Sequence, residues 1–176
     1  NYSLPMSSGQ LTLRANANIL LSYKSKAGPT NATVEQAGYI DVSRSLLLQN
    51  AIQPELRGTF SANYKSNGGF GAFIQGRYIG SLKQGEVPGL TAGSQTFVFA
   101  DKKIGAVWYF DANISQTIEA GPLGSELELY ANVTNLFNRR PPIIPSDQNP
   151  TNSFPTYPNL YDIIGRFVTV GARVKF

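Results

Sequence analysis

Residues 165–176 read GRFVTVGARVKF. Counting back from Phe176, every second residue is apolar: Val174, Ala172, Val170 and Val168. Lys175, Arg173, Gly171, Thr169 and Phe167 stand between them. A period of two sends these sets to opposite faces of a strand, one apolar and one mostly polar. That strand fits a half-buried position in a β-sandwich, and it equally fits a strand whose apolar face meets lipid.

Upstream, the same period recurs. Residues 11–23 place Leu11, Leu13, Ala15, Ala17, Ile19, Leu21 and Tyr23 on one parity. A second strand is expected over 56–65, a tight hairpin at Asn67-Gly68-Gly69, and a third strand over 70–78. The fourth runs over 108–118, with Trp108, Phe110, Ala112 and Ile114 opposite Tyr109, Asp111, Asn113 and Ser115. The fifth, 127–134, and the terminal strand complete six. Residues 26–54, 81–102 and 138–164 are long connections, the first with a short helix expected over 43–52.

Length and composition narrow the classes. A chain of 176 residues suits one domain, and no run approaches the eighteen apolar residues of a membrane helix. Alternating strands average to neutral hydropathy, so this does not speak against a barrel. Cysteine and histidine are absent, which removes the usual zinc ligands, imidazole and thiol nucleophiles, and disulfides. The net charge of +4 is scattered, so no nucleic-acid footprint emerges. No paired carboxylates or phosphate-binding glycine loop suggest an enzyme, and no cofactor is expected.

Three regularities point the same way. Connections alternate long and short, the layout of an outer-membrane barrel. Prolines are expected outside the strands. Charges keep one parity: Arg14, Lys24, Arg57, Lys65, Arg77, Asp111, Glu126, Glu128, Arg173 and Lys175 all oppose the apolar face, with Arg166 the exception at a loop end. A sandwich would also obey that rule. Strand length and aromatics separate the two readings: about eleven residues at roughly 3.3 Å, tilted near 40°, rise about 28 Å, close to the ~25 Å apolar band of a barrel. Apolar-parity aromatics gather at strand ends, with Tyr23, Tyr78, Trp108 and Phe110 toward the long loops and Tyr64, Phe70 and Phe176 toward the short turns. Interfacial girdles take that arrangement.

The stretches GRYIGS at 76–81, NVTNLFNRRPP at 132–142 and YDIIGRFVTVGARVKF at 161–176 resemble the C-terminal end of a TonB-dependent receptor. These are bacterial outer-membrane active transporters for ferric siderophores, cobalamin and some carbohydrates. The resemblance implies an all-β, antiparallel transmembrane barrel segment, the last six strands of about twenty-two, with residues 1–176 forming one domain. It implies long loops outside the cell and a periplasmic C-terminus. The implied partners are outer-membrane lipid, a plug domain and upstream strands not found in this sequence, the TonB complex, the barrel assembly machinery and a small-molecule nutrient. Six strands are too few to close a lipid-spanning barrel, so a piece of a longer protein is expected. The apolar alternation through Val170, Ala172 and Val174 to Phe176 is similar to the assembly signal of outer-membrane proteins generally.

On the lumen parity, Arg77 and Asp111 are expected to line a substrate vestibule near the long loops. Arg14, Lys65, Glu128, Arg173 and Lys175 are expected nearer the short turns, facing the plug. Arg139 and Arg140 open the proline-rich loop, where a guanidinium pair suits an anionic ligand. Tyr157 and Tyr161 would stack on a sugar or an aromatic chelate. Each of these has a plainer alternative: solvated lumen charges, an exposed loop base, and aromatics packed within their own loop. Two rival functions stand beside active uptake: a passive porin or multi-chain barrel, and a soluble carbohydrate-binding β-sandwich.

Overall fold

The computed structural model describes residues 1–26, 28–30, 33–40, 52–84, 103–119, 125–144 and 156–175. Among these residues twelve strands appear in chain order: β1 (Tyr2–Met6), β2 (Gly9–Ile19), β3 (Lys24–Lys26), β4 (Thr33–Glu35), β5 (Tyr39–Ile40), β6 (Leu56–Ser66), β7 (Phe70–Ile79), β8 (Leu82–Gln84), β9 (Lys103–Ile104), β10 (Val107–Glu119), β11 (Glu126–Thr134) and β12 (Phe167–Lys175). The described residues contain no helix. Among the described residues, seven strands form one antiparallel sheet in the order β1-β2-β6-β7-β10-β11-β12, with β1 and β12 at its edges. Two small sheets, β3-β4 and β5-β8-β9, lie in the long connections.

Register carries the parity of each strand across the whole sheet. Ala15 faces Phe60, Ala62 faces Ile74, Ala112 faces Ile74 and Val133, and Ala131 faces Ile114 and Val170. Apolar residues thus neighbour one another along most of these rows, each such pair being worth about 0.2–1 kcal/mol, with Gln116 interrupting the row between Phe70 and Leu129. The resulting face is uncovered: Val170 is 74% exposed and Ile114 55%. Its rings cluster at opposite ends. Tyr78, Trp108, Phe110 and Phe137 form a chain with centroids 4.9, 5.8 and 5.3 Å apart at the long-loop end, while Tyr64 and Phe70 approach to 6.5 Å at the short-turn end. Gly76 sits beneath this chain, where a Cβ would meet Phe110 at 3.1 Å and Trp108 at 3.2 Å.

Several expectations change. The sheet has seven strands because Tyr2–Met6 pairs with the start of β2, continuing the apolar rows through Leu4 and Leu11. Pro5 therefore lies inside a strand. It is tolerated because β1 is an edge and Met6↔Gly9 closes the hairpin, leaving Pro5 in a non-hydrogen-bonded pair. The strand expected over 11–23 ends at Ile19, with a last bond in the same register from the Leu20 amide to the Glu55 carbonyl at 2.8 Å; Tyr23 lies beyond it, where its carbonyl accepts from the Gln36 amide. The hairpin at 67–69 forms as expected, with Gly69 at φ 81° against the Thr117 carbonyl. Most of the helix expected over 43–52, and Phe176, lie outside the described residues.

The buried core lies on the opposite, polar face, at its long-loop end. Ile79, Val107 and Tyr109 point there against their strands' polar parity, and the segment after β11 folds back over them with Ile144 and Tyr161; Leu82 and Ile104 complete the cluster. No helix among the described residues is long and apolar enough to cross a membrane, which says nothing of strands.

Candidate functional site

The turn that follows β11 is built around Asn135. It is fully buried and adopts φ 51°, as does Asn138; asparagine tolerates this left-handed region better than other side-chain-bearing residues. The Asn135 backbone amide donates to Asp111 Oδ1 at 2.9 Å. Its side-chain amide donates to the Arg139 carbonyl at 3.0 Å and Asp162 Oδ2 at 2.9 Å, and its Oδ1 accepts from the Arg139 amide at 2.8 Å. Asp162 Oδ1 in turn accepts from the Ile164 and Gly165 amides, and Asn138 Oδ1 from the Arg166 amide. The two ends of the proline-rich loop are thereby fastened to each other and to β10.

Arg77 on β7 and Asp111 on β10 form an ion pair, Nε to Oδ2 at 3.0 Å with a second contact from Nη2 to Oδ1 at 3.4 Å. The Arg77 guanidinium also stands 5.5 Å from the Tyr109 ring centroid. Half-burial and the two-pronged geometry favour this pair over an ordinary surface bridge. Tyr161, 2% exposed, closes the cluster from the loop side, and burial pushes its phenol from 10.0 up to about 12. Elsewhere, the Ser22 hydroxyl, then the Tyr23 and Ala37 amides, hold the Glu35 carboxylate down at about 2.

Two clefts of about 340 Å³ each open on the polar face. The upper, nearer the long loops, is lined by Asn16, Asn18, Arg57, Thr59, Arg77 and the loop residue Leu160, among others. The second is lined by Thr12, Arg14, Ser61, Asn63, Phe73 and Asn113. Arg57 donates to the Ile52 carbonyl at 3.4 Å.

Of the residues singled out in the sequence, Arg77, Asp111 and Tyr161 converge, with Tyr157 partly buried beside them. Arg139 joins through its backbone while its side chain and that of Arg140 are exposed. Arg14 stands mid-strand in the second cleft, four residues along β2 from the Gln10 row that holds Lys65. Glu128 pairs with Arg173 at 3.1 Å and Glu126 with Lys175 at 3.3 Å across β11 and β12. Val170, Ala172 and Val174 line the exposed apolar face of β12. Sequence reasoning passed over Asn135, Asp162 and Phe73. The two asparagines of NLFN were the available signal for the first, and an aromatic on a polar parity was the signal for the last.

Comparison with known protein families, curated proteins and solved structures finds no match at any of the three levels. The chain's all-β, antiparallel main sheet rests on the structure alone.

Proposed function

We propose that this chain is a wall segment of a bacterial outer-membrane β-barrel that takes up a nutrient actively, as a TonB-dependent receptor does. The observation that carries the membrane reading is the uncovered apolar face, kept in register over seven strands and bounded at both ends by aromatic clusters. A water-soluble sandwich would cover that face, since burying it contributes about 25 cal/mol per Å². The core forms on the polar face instead, where a long loop folds inward, as a loop dipping into a lumen would.

In this reading β1 and β12 continue into further strands, because unpaired backbone groups in hydrocarbon cost several kcal/mol each. A plug fills the lumen toward the short turns, TonB supplies the energy, and the barrel assembly machinery inserts the protein through its terminal strand. Active uptake, rather than a passive pore, is supported by the resemblance of NVTNLFNRRPP and of the terminal strand to that family.

The test exploits the absence of cysteine from the sequence. Single cysteines are placed at 129–133 in the protein in vesicles and probed with a water-soluble maleimide and a lipid-phase quencher. Lipid contact at 129, 131 and 133, with water access at 130 and 132, supports the reading. Uniform water access at all five would overturn it.

A further inference from the structure

On the polar face, most apolar side chains have an explanation. Ile79, Val107 and Tyr109 lie under the folded loop, and Tyr130 lies across Gly171, where a Cβ would meet its hydroxyl. Phe73 is different. It sits mid-sheet, half-exposed, directly between Asn63 and Asn113 in register, and makes no ring contact with another described residue. Thr12 continues the same row.

The two clefts follow one another along the same strand pair. On β2 and β6, Asn18↔Arg57 and Asn16↔Thr59 line the upper cleft and Arg14↔Ser61 and Thr12↔Asn63 line the second, four pairs at alternate positions in register. Three two-residue steps at about 3.3 Å per residue give a track of roughly 20 Å. Amides and hydroxyls dominate it, and Arg77, already neutralised by Asp111, leaves one further arginine in each cleft, Arg57 above and Arg14 below. Asn113 spends its amide hydrogens on the Ala131 carbonyl and Asn132 Oδ1, so its own oxygen remains as an acceptor.

We propose that this track binds a linear, neutral oligosaccharide, with Phe73 stacking on the apolar face of a sugar ring while Thr12, Asn63 and Asn113 hydrogen-bond its hydroxyls. A compact ferric chelate carrying several negative charges would call for clustered cations, and an apolar ligand for an apolar lining. An extended polyhydroxylated ligand needs many modest hydrogen-bonding groups along a line and an aromatic plate, which is the composition found. The inference rests on the transport reading for its biological setting, not for its chemistry.

The test is calorimetric titration of the intact detergent-purified protein with malto-, cello-, xylo- and fructo-oligosaccharides, beside ferric citrate and cobalamin. One oligosaccharide series should bind, with affinity rising with chain length. Phe73→Ala should weaken it about tenfold or more and Phe73→Trp should retain it. Asn63→Ala should also weaken it, with the unfolding temperature of each variant confirming an intact barrel. Binding of ferric citrate or cobalamin with no sugar bound, no binding in any series, or Phe73→Ala without effect would each overturn the proposal. Sugar binding by a protein that stays monodisperse without detergent would instead count against the membrane reading and leave the sugar site standing.

Discussion

The backbone amide of Asn135 donates to Asp111 Oδ1, an oxygen that also faces Arg77 Nη2. A loop turn and an inter-strand ion pair therefore share one carboxylate. Moving either disturbs the other, so the proline-rich loop is coupled to the wall of the upper cleft through Asp111.

Replacing Asn135 should release the loop. Asn135→Ala strands the groups on Arg139 and Asp162 and forces alanine into the left-handed region, for a total of about 2–4 kcal/mol. Asn135→Gly loses the same side-chain bonds without the conformational cost and should be milder by about 1 kcal/mol. Protease cutting between 138 and 164, followed with denaturant unfolding, reads both. Equal damage from the two variants would mean that the left-handed turn contributes nothing.

Neighbouring residues on β11 should respond oppositely to charge. Ala131→Arg places a guanidinium on the apolar face and should cost about 2–4 kcal/mol in a bilayer. Asn132→Arg keeps the charge on the polar face and forfeits chiefly the bond from Asn113, about 1 kcal/mol. The yield of folded, heat-modifiable protein in membranes distinguishes them. Equal yields would refute the assignment of faces.

Alkaline pH should loosen the loop before the sheet. Burial raises the Tyr161 phenol from 10.0 to about 12, so the folded protein holds it neutral where the unfolded chain would ionise it. Its stabilisation is fully present below pH 10 and is lost as pH climbs toward 12. Loop proteolysis should accelerate across that window, and Tyr161→Phe should flatten the response. A Phe variant with an unchanged alkaline profile would assign the effect to another group.

Gly171 and Tyr130, opposite each other on β12 and β11, should be energetically coupled. A Cβ at Gly171 collides with the Tyr130 ring and hydroxyl, so Gly171→Ala forces the ring aside at about 1–3 kcal/mol. In a Tyr130→Ser background the same substitution should be nearly neutral. Additive costs in the double-mutant cycle would show that the ring yields freely.

Much of the sheet is legible in the sequence because a period of two is a local property of the backbone. The parities of residues 56–65, 70–78, 108–118 and 127–134 hold in the structure, since a one-residue slip would turn each apolar set to the other face. Tyr2, Leu4 and Met6 alternate as well, but five residues interrupted by proline are a weak local signal until an edge position makes Pro5 acceptable. Parity leaves register free by steps of two, and the long connections before β6 and β10 do not set it locally. Only the assembled sheet therefore brings Asn63, Phe73 and Asn113 into one row and aligns the four pairs of the polar track. The burial of Asn135 and Tyr161 is likewise tertiary: it arises when the loop folds back onto Ile79, Val107 and Tyr109, whose apolar character on a polar parity has no meaning within their own strands.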